Sequence, residues 1–398
     1  MNARVVEIST QNQARQELKK INCDEFGINI MAPKAIFKTL KIEKVSSKAA
    51  NLLKQTFLAK GGEVAVARGT ADLSVEYTDV VICATMKQYN LAVAQLKMQP
   101  WGLPKIAEAI NKAIKATEKF SYREYQWPGK KLLIQPHRTL IMGILNLTPD
   151  SFSDGGKYNS FDNALKKAEE LIKAGADILD IGAESTRPGF AEISENQEME
   201  RMLPVLEKLA KTCEVPISID TYKPSVAKAA LDCGANIIND IWGLQKDPNM
   251  AKVVAEYNVP VVIMHNRINN EYQIDIMADI CNFLKNSIDI GINARISFEN
   301  FIIDPGIGFA KNGDQNIVVM SRLEELKSLG CPILLGTSRK RFIGEVLDLA
   351  VDDRVEGTAA TVAVGITKGA NIVRVHDVEP IARVAKMTDA MIRGDLFD

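Results

Sequence analysis

Short apolar runs that end in polar residues recur through the last two thirds of the chain: TLIMGILNLT, DILDIGAE, PISIDT, NIINDIW, PVVIMH, FIIDPG, PILLGTS and NIVRVHDV. Between them lie amphipathic helical patterns such as FDNALKKAEELIKAGA, KPSVAKAALDCGA and DQNIVVMSRLEELKSLG. Strands that are apolar on both faces and alternate with helices predict a parallel sheet covered by helices. Three strands open on the same phrase, in KAGADILDIGAE (173–184), DCGANIINDIW (232–242) and TKGANIVRVHDV (367–378). Its Gly can take the left-handed conformation that ends a helix, and the Asp or Asn that follows turns the chain into the next strand. Pro224 at a helix start and a Ser194–Gln197 capping box mark two helix N-termini. Eight such units predict an α/β fold, a closed (β/α)8 TIM barrel. An open doubly wound sheet is the alternative, but no G-x-G-x-x-G follows a strand.

The first part of the chain reads differently. ARVVEI, EVAVARG and TDVVICAT have strand character, while SSKAANLLKQTFLAKGG and GLPKIAEAINKAIKATEKF have helical character, the first with a Ser cap and a Gly-Gly stop. A small α/β domain over 1–128 is therefore expected, followed by the barrel over 129–398. The aromatic, turn-rich FSYREYQWPGKKLLIQPHRT joins them, with the boundary near Trp127–Lys130.

Composition narrows the function classes. With 46% hydrophobic and 25% charged residues and a net charge of −1, the chain is of ordinary globular type, and bulk charge points to neither nucleic acid nor an anionic membrane as partner. Apolar runs such as PVVIM fall far short of the roughly 20 residues that span a bilayer. The start, MNARVVEISTQNQARQ, lacks the features of a secretory signal, so a cytoplasmic location is expected. Six cysteines without a C-x-x-C pair signal neither zinc nor a disulfide framework and are expected to be buried thiols.

In a TIM barrel the chemistry sits at the C-terminal ends of the strands. Those ends carry Asn146, Glu184 to Arg187, Asp220, Asn239, His265, Asp304, Ser338 to Arg341, and Arg374 with His376. Alternation puts Arg374 and His376 on one strand face, with Val373 and Val375 on the other. His265 is the first candidate for a purely structural role. The loop after the first strand, NLTPDSFSDGG, is rich in turn residues and polar groups.

Taken in order, NLTPDSFSDGG, GAESTRPG, SIDT, INDI, IDPGIGF, GTSRKRFIG and VRVHDV resemble the dihydropteroate synthases over about residues 139–392. Those folate-pathway enzymes join 6-hydroxymethyl-7,8-dihydropterin diphosphate to 4-aminobenzoate, giving 7,8-dihydropteroate and diphosphate. The resemblance implies an SN1-like substitution with Mg2+ as cofactor. It assigns the diphosphate to Asn146, Arg374 and His376, with Asn146 also giving an oxygen to the metal. The pterin falls to Asp220, Asn239, Asp304 and Lys340, and the aminobenzoate to Thr186, Arg187, Pro188, Phe309, Lys340 and Arg341. Asp154 would stabilise the developing pterin cation, and Asp154, Lys340, Arg374 and His376 form the expected catalytic set. Where the family often has a serine, this chain has Arg341, so the backbone part of that role transfers; Arg339 is assigned to structure.

The chemistry suits these residue types. A departing diphosphate needs cations and donors at its oxygens, which an Arg fork and a neighbouring imidazole supply. Mg2+ prefers oxygen ligands and binds largely through phosphate and water. Two other readings compete. A methyltetrahydrofolate:corrinoid methyltransferase holds a pterin in a similar barrel, but it would leave TPDSFSDGG, SRKRFIG and the Arg374/His376 pair without purpose. A non-catalytic pterin-binding scaffold is disfavoured because Arg341 alone departs from the matched positions. The N-terminal domain lacks a Gly-rich phosphate loop, so structural support, dimer contact or regulation is expected of it rather than a fused kinase. A homodimer through the helical face is expected. The family is a sulfonamide target, with sensitivity depending on the surroundings of Thr186, Pro188, Phe309 and Arg341.

Overall fold

The structure, a computed structural model, describes residues 1–118, 122–147, 157–184 and 192–393. The chain divides into two compact units, Met1–Lys119 and Phe120–Asp398.

The first unit runs α1 (Gln11–Lys20), α2 (Glu25–Ala35), β1 (Phe37–Ser46), α3 (Ser47–Leu58), β2 (Glu63–Val66), β3 (Tyr77–Thr85), α4 (Met86–Leu96) and α5 (Leu103–Glu118). Its antiparallel sheet has the order β1-β3-β2. The expected Ser cap is present, Ser46 accepting from the Ala49 N–H at 3.4 Å, and Gly61 beyond α3 takes φ +78°. ARVVEI forms no strand, and Val5 is exposed. The third strand is FKTLKIEKVS instead. Its lysines blur the alternation by which Leu40 and Ile42 pack against the core while Phe37, Thr39 and Lys41 face out. The core gathers Leu53, Phe57, Ile82, Tyr89 and Leu96.

The stretch expected to link the domains is a hairpin of the second unit, β4 (Arg123–Trp127) with β5 (Lys130–Ile134), turning through Gly129 at φ +72°. Its Tyr125, Leu132 and Ile134 pack with Leu140, Met142, Ile178, Ile237, Val262, Ile302, Leu334 and Ile372. The unit boundary thus falls before the hairpin rather than at 128/129.

Eight parallel strands follow: β6 (Leu140–Asn146), β7 (Ile178–Gly182), β8 (Ile217–Asp220), β9 (Ile237–Asp240), β10 (Val261–Met264), β11 (Phe301–Asp304), β12 (Leu334–Leu335) and β13 (Ile372–Val375). They lie in the order β11-β10-β9-β8-β7-β6-β13-β12, and a parallel bridge between Ile303 and Ile333 joins the two ends into the expected TIM barrel. Around them lie α6 (Lys157–Lys173), α7 (Glu195–Thr212), α8 (Pro224–Asp232), α9 (Pro248–Tyr257), α10 (Ile276–Asn293), α11 (Gly313–Ser321), α12 (Arg341–Leu347), α13 (Val355–Thr367) and α14 (Val378–Arg393). Pro224 opens α8, and Ser194 with Gln197 forms the capping box of α7. DQNIVVMSRLEELKSLG is not one helix: Arg322, at φ −120°, separates α11 from a 3-10 turn over Leu323–Leu329.

In the repeated phrase Gly175, Gly234 and Gly369 take φ of +105°, +104° and +108°, as a helix-ending glycine should. The polar residue two places on does more than turn the chain. Asp177, Asn236 and Asn371 each accept, at 2.9 Å, the N–H at the start of a neighbouring strand, from Ile141, Ile217 and Ile333. Their own N–H groups donate at 2.8 Å to the carbonyls of the same residues. Each phrase therefore latches one strand to the next in fixed register.

Among the described residues no helix is long and apolar enough to cross a membrane. Of the six cysteines, expected to be buried thiols, only Cys213 and Cys331 are buried; Cys23, Cys83, Cys233 and Cys281 are half-buried.

Candidate active site

Side chains two apart on a strand share a face. Ile178, Ile237, Ile302 and Ile372 fill the barrel floor. Two residues further on, Asp180, Asn239, Asp304 and Arg374 occupy the layer above, and Asp220 stands two beyond Ser218 on β8. The apolar floor therefore carries a polar mouth, built by continuing the same alternation.

Arg374 is the hub. Its Nε donates to Asp180 Oδ2 at 2.6 Å and its Nη2 to Asp220 Oδ2 at 2.7 Å. Asn239 Nδ2 donates to the same Asp180 oxygen at 3.3 Å. Asp180 Oδ1, Asp220 Oδ1 and Ser218 Oγ are buried without a hydrogen-bond partner. Asp304 Oδ1 accepts from the Gly306 N–H at 2.7 Å. Neither Asp220 nor Asp304 caps a following helix, α8 being preceded by Lys223 and α11 by Asn312.

Burial dominates the electrostatics. It pushes the Asp220 carboxyl up to about 7, with Asp180 adding to the rise and Arg374 opposing it. It pushes Asp304 up to about 6 against the Gly306 N–H, Lys340 and Arg374. Burial also works against charge on Arg374, yet Asp180 and Asp220 outweigh it and raise its pKa above the ordinary value. Acidic groups thus outnumber cations in this layer, and donors from a ligand would be accepted there.

Two glycines border the mouth. A Cβ on Gly182 would lie 3.7 Å from Asn146 Oδ1 and 3.8 Å from Asp220 Oδ2, and one on Gly336 3.9 Å from Asp304 Oδ2. Asn146 is thereby placed beside Asp220 at the end of β6. Lys340, at the N-cap of α12, sets its Nζ 4.2 Å from the centre of the Phe309 ring. Gly308, at φ +81°, lets the backbone pass this lysine, since a Cβ there would meet Lys340 Cδ at 2.8 Å. Tyr222, Ile241, Met264, Trp242 and Phe309 form an apolar wall. His376 meets Ser338 twice, Nδ1 to Oγ at 3.0 Å and its N–H to Oγ at 3.1 Å.

The structure sorts the remaining candidates. Arg339 pairs with Asp377 at 2.6 and 2.9 Å and with Asp352 at 2.9 Å. Arg341 directs its side chain to Glu345 at 2.7 Å and is 91% exposed, so that side chain does not join the layer around Arg374 and only its backbone, at the start of α12, stays near Lys340. His265 is fully buried and structural, bonded to Asp279 at 3.2 Å and Lys311 at 2.9 Å, and burial pushes its pKa down to about 4. Asp154, Thr186, Arg187 and Pro188 lie outside the described residues.

Among the described residues no cluster of three or more His, Cys, Asp or Glu side chains could hold a metal ion. Asn146 offers one neutral oxygen at the mouth, which suits a hard ion bound mostly by phosphate and water.

Sequence reasoning missed Asp180 and a pair of supports. Asp180 had a signal: in ADILD, ANIIND and ANIVR it holds the position of Asn239 and Arg374. The first support is Lys223, whose Nζ reaches Glu184 at 2.6 Å, Glu198 at 2.8 Å and the Ile193 carbonyl at 2.7 Å, fixing the end of β7 to the start of α7. The second is Lys311, which donates to the carbonyls of Gly306 at 3.0 Å and Phe309 at 3.1 Å and so fixes the turn that carries Phe309. Neither contact has a local pattern that announces it.

Residues 142–376 match the family of pterin binding enzymes. A dihydropteroate synthase of Bacillus subtilis is 58% identical over 255 residues, covering 64% of this chain and 89% of that protein. A Halobacterium salinarum protein described as a "Probable bifunctional folylpolyglutamate synthase/dihydropteroate synthase" is 35% identical over 98% of this chain and 47% of its own length. The crystal structure of a Clostridium difficile dihydropteroate synthase in the presence of pteroic acid matches with a TM-score of 0.64 and 51% identity, over 64% of this chain and 97% of that one.

Proposed function

The chain belongs to the pterin binding enzymes and among them to the dihydropteroate synthases, and from that premise we propose how its own side chains divide the work. The reaction joins 6-hydroxymethyl-7,8-dihydropterin diphosphate to 4-aminobenzoate with loss of diphosphate. The observation that carries the division is the pair of buried, unpartnered carboxylate oxygens, Asp180 Oδ1 and Asp220 Oδ1, beside an arginine bonded to both residues.

The pterin presents a flat edge of N–H donors. Asp220 and Asp304 accept from it, Asn239 completes the edge, and Lys340 closes the pocket against Phe309. Ligand donors relieve the desolvation that raises both carboxyl pKa values. Arg374 and His376 take the oxygens of the departing diphosphate, Ser338 fixing the imidazole through Nδ1. Asn146 would contribute an oxygen to Mg2+, which when bound supplies positive charge to the leaving phosphate. The apolar wall of Tyr222, Ile241, Met264, Trp242 and Phe309 keeps water from the electrophilic carbon. Asp154 stabilises the developing cation, and Thr186, Arg187, Pro188 and the backbone of Arg341 receive the aminobenzoate. An anilinic amine is neutral at pH 7, so the attack needs no strong base.

The test is pyrophosphate release from the two substrates with magnesium, beside Arg374→Ala and Asp304→Ala. Each variant is expected to lose about 10²–10³-fold in kcat/KM. Pterin binding without release by the intact protein would make the barrel a binding module.

A homodimer through the outer helices is the assembly we assign. Val318 on α11, Val346 and Leu347 on α12, Val364 on α13 and Met387 and Met391 on α14 are exposed apolar side chains on consecutive helices. Sedimentation at a single-chain mass would overturn it. A cytoplasmic location and a supporting or regulatory role for residues 1–119 complete the reading.

A further inference from the structure

We propose that Asp180 is a positioning residue that anchors Arg374 by its Nε, so that the dihydropterin can take Asp220 from the guanidinium and leave its outer nitrogens to the diphosphate. This rests on the reading above, in which the pterin binds Asp220 and Arg374 meets the leaving group.

The two carboxylates hold different parts of the guanidinium. Asp180, whose side chain is 0% exposed, takes Nε, the nitrogen nearest the backbone. Asp220, 7% exposed and higher on its strand, takes Nη2 at the tip. A partner on Nε fixes the plane of the fork without consuming its tip, whereas a partner on Nη2 competes with any ligand approaching from the mouth. Asp180 is in turn held by Asn239 Nδ2, through the same Oδ2 that receives Nε. The deep pair is therefore the fixed contact and the shallow pair the exchangeable one. When pterin N–H groups engage Asp220, Arg374 Nη2 is released toward the diphosphate while Nε stays on Asp180. Coupling of this kind is reciprocal: the pterin tightens the diphosphate site and the diphosphate tightens the pterin site by the same factor.

The experiment is titration of the full-length protein with inorganic pyrophosphate and magnesium, with and without 6-hydroxymethyl-7,8-dihydropterin, in wild type and Asp180→Asn. In wild type the pterin is expected to tighten pyrophosphate by about five- to tenfold, within the usual span of coupling between sites. In Asp180→Asn the guanidinium freed from Asp220 has no anchor at Nε to hold its fork toward the diphosphate, so the coupling falls to about one and kcat/KM for the pterin diphosphate drops by about tenfold or more. Absence of coupling in wild type overturns the proposal whether or not the variant folds. Weaker pterin binding by Asp180→Asn with coupling unchanged also overturns it, since Asp180 would then be a pterin ligand. Wild-type kcat/KM and coupling in the variant overturn the anchor alone; failure of the wild type to release pyrophosphate overturns the proposed division of the site.

Discussion

Asp220 and Asp304 carry carboxyl groups that burial pushes up to about 7 and about 6, against roughly 3.9 for an Asp in an unfolded chain. Between those limits the folded state holds protons that the unfolded state has lost. Stability therefore falls as pH rises, because the unfolded chain binds fewer protons over that window. The contribution is complete below about pH 4 and is lost as pH climbs through 6 to 7. Ligand-free protein should accordingly lose urea stability between pH 5 and pH 8, and Asp304→Asn should show a shallower decline; an equal slope in both would remove Asp304 as a source. At this scale the chain was partly legible. Arg374, Asp220, Asn239 and Asp304 lie together in one layer, while Arg339 is held by Asp377 and Asp352 and His265 by Asp279 and Lys311. Arg341 differs because an i,i+4 partner, Glu345, holds it on the surface.

Elements were most legible where the sequence repeats. The Gly-Ala-Asp/Asn phrase marked three helix ends, and each glycine has the positive φ that the turn requires. The latch made by the polar residue was not legible, because its acceptor serves a strand distant in sequence. Asn236→Ala would leave the buried Ile217 N–H unpaired and should cost about 1–3 kcal/mol, read as a shifted urea midpoint. Activity at saturating substrate should be unchanged, since the latch lies at the end of the strands away from the mouth. A midpoint unchanged from wild type would show that the latch adds nothing. Elsewhere local pattern misled. ARVVEI is rich in strand-forming residues but joins no strand among the described residues, and FKTLKIEKVS, with lysines on both faces, became a sheet edge because β3 offered it a partner. YREYQWPGKK reads as part of a linker until Tyr125 and Trp127 meet the floor of the barrel.

On the scale of the molecule, the polar layer around Arg374 lies wholly within the second unit. The Clostridium difficile chain, matched over 97% of its length across 64% of this one, has little room for a counterpart of residues 1–119, whereas the Halobacterium salinarum relative aligns across 98% of this chain. Deletion of residues 1–119 should therefore leave kcat/KM for both substrates within about threefold, a change of under 1 kcal/mol. A larger loss in a folded barrel would assign the N-terminal unit a part in the reaction.

Alternation, helix-ending glycines and the order of the strand-end motifs are properties of neighbouring residues; from them the sequence alone determined the barrel and its mouth, while the class of reaction came from the resemblance of those motifs to the dihydropteroate synthases. Contacts across the mouth are of another kind. Arg374 meets Asp180 across 194 residues and Asp220 across 154, and only closure of the sheet decides which carboxylate takes which nitrogen. Burial follows from the same closure, so the protonation of Asp220 and Asp304 was decided by tertiary structure. A strand can announce that it carries a charge; the partner and the dielectric around it come from the other strands of the barrel.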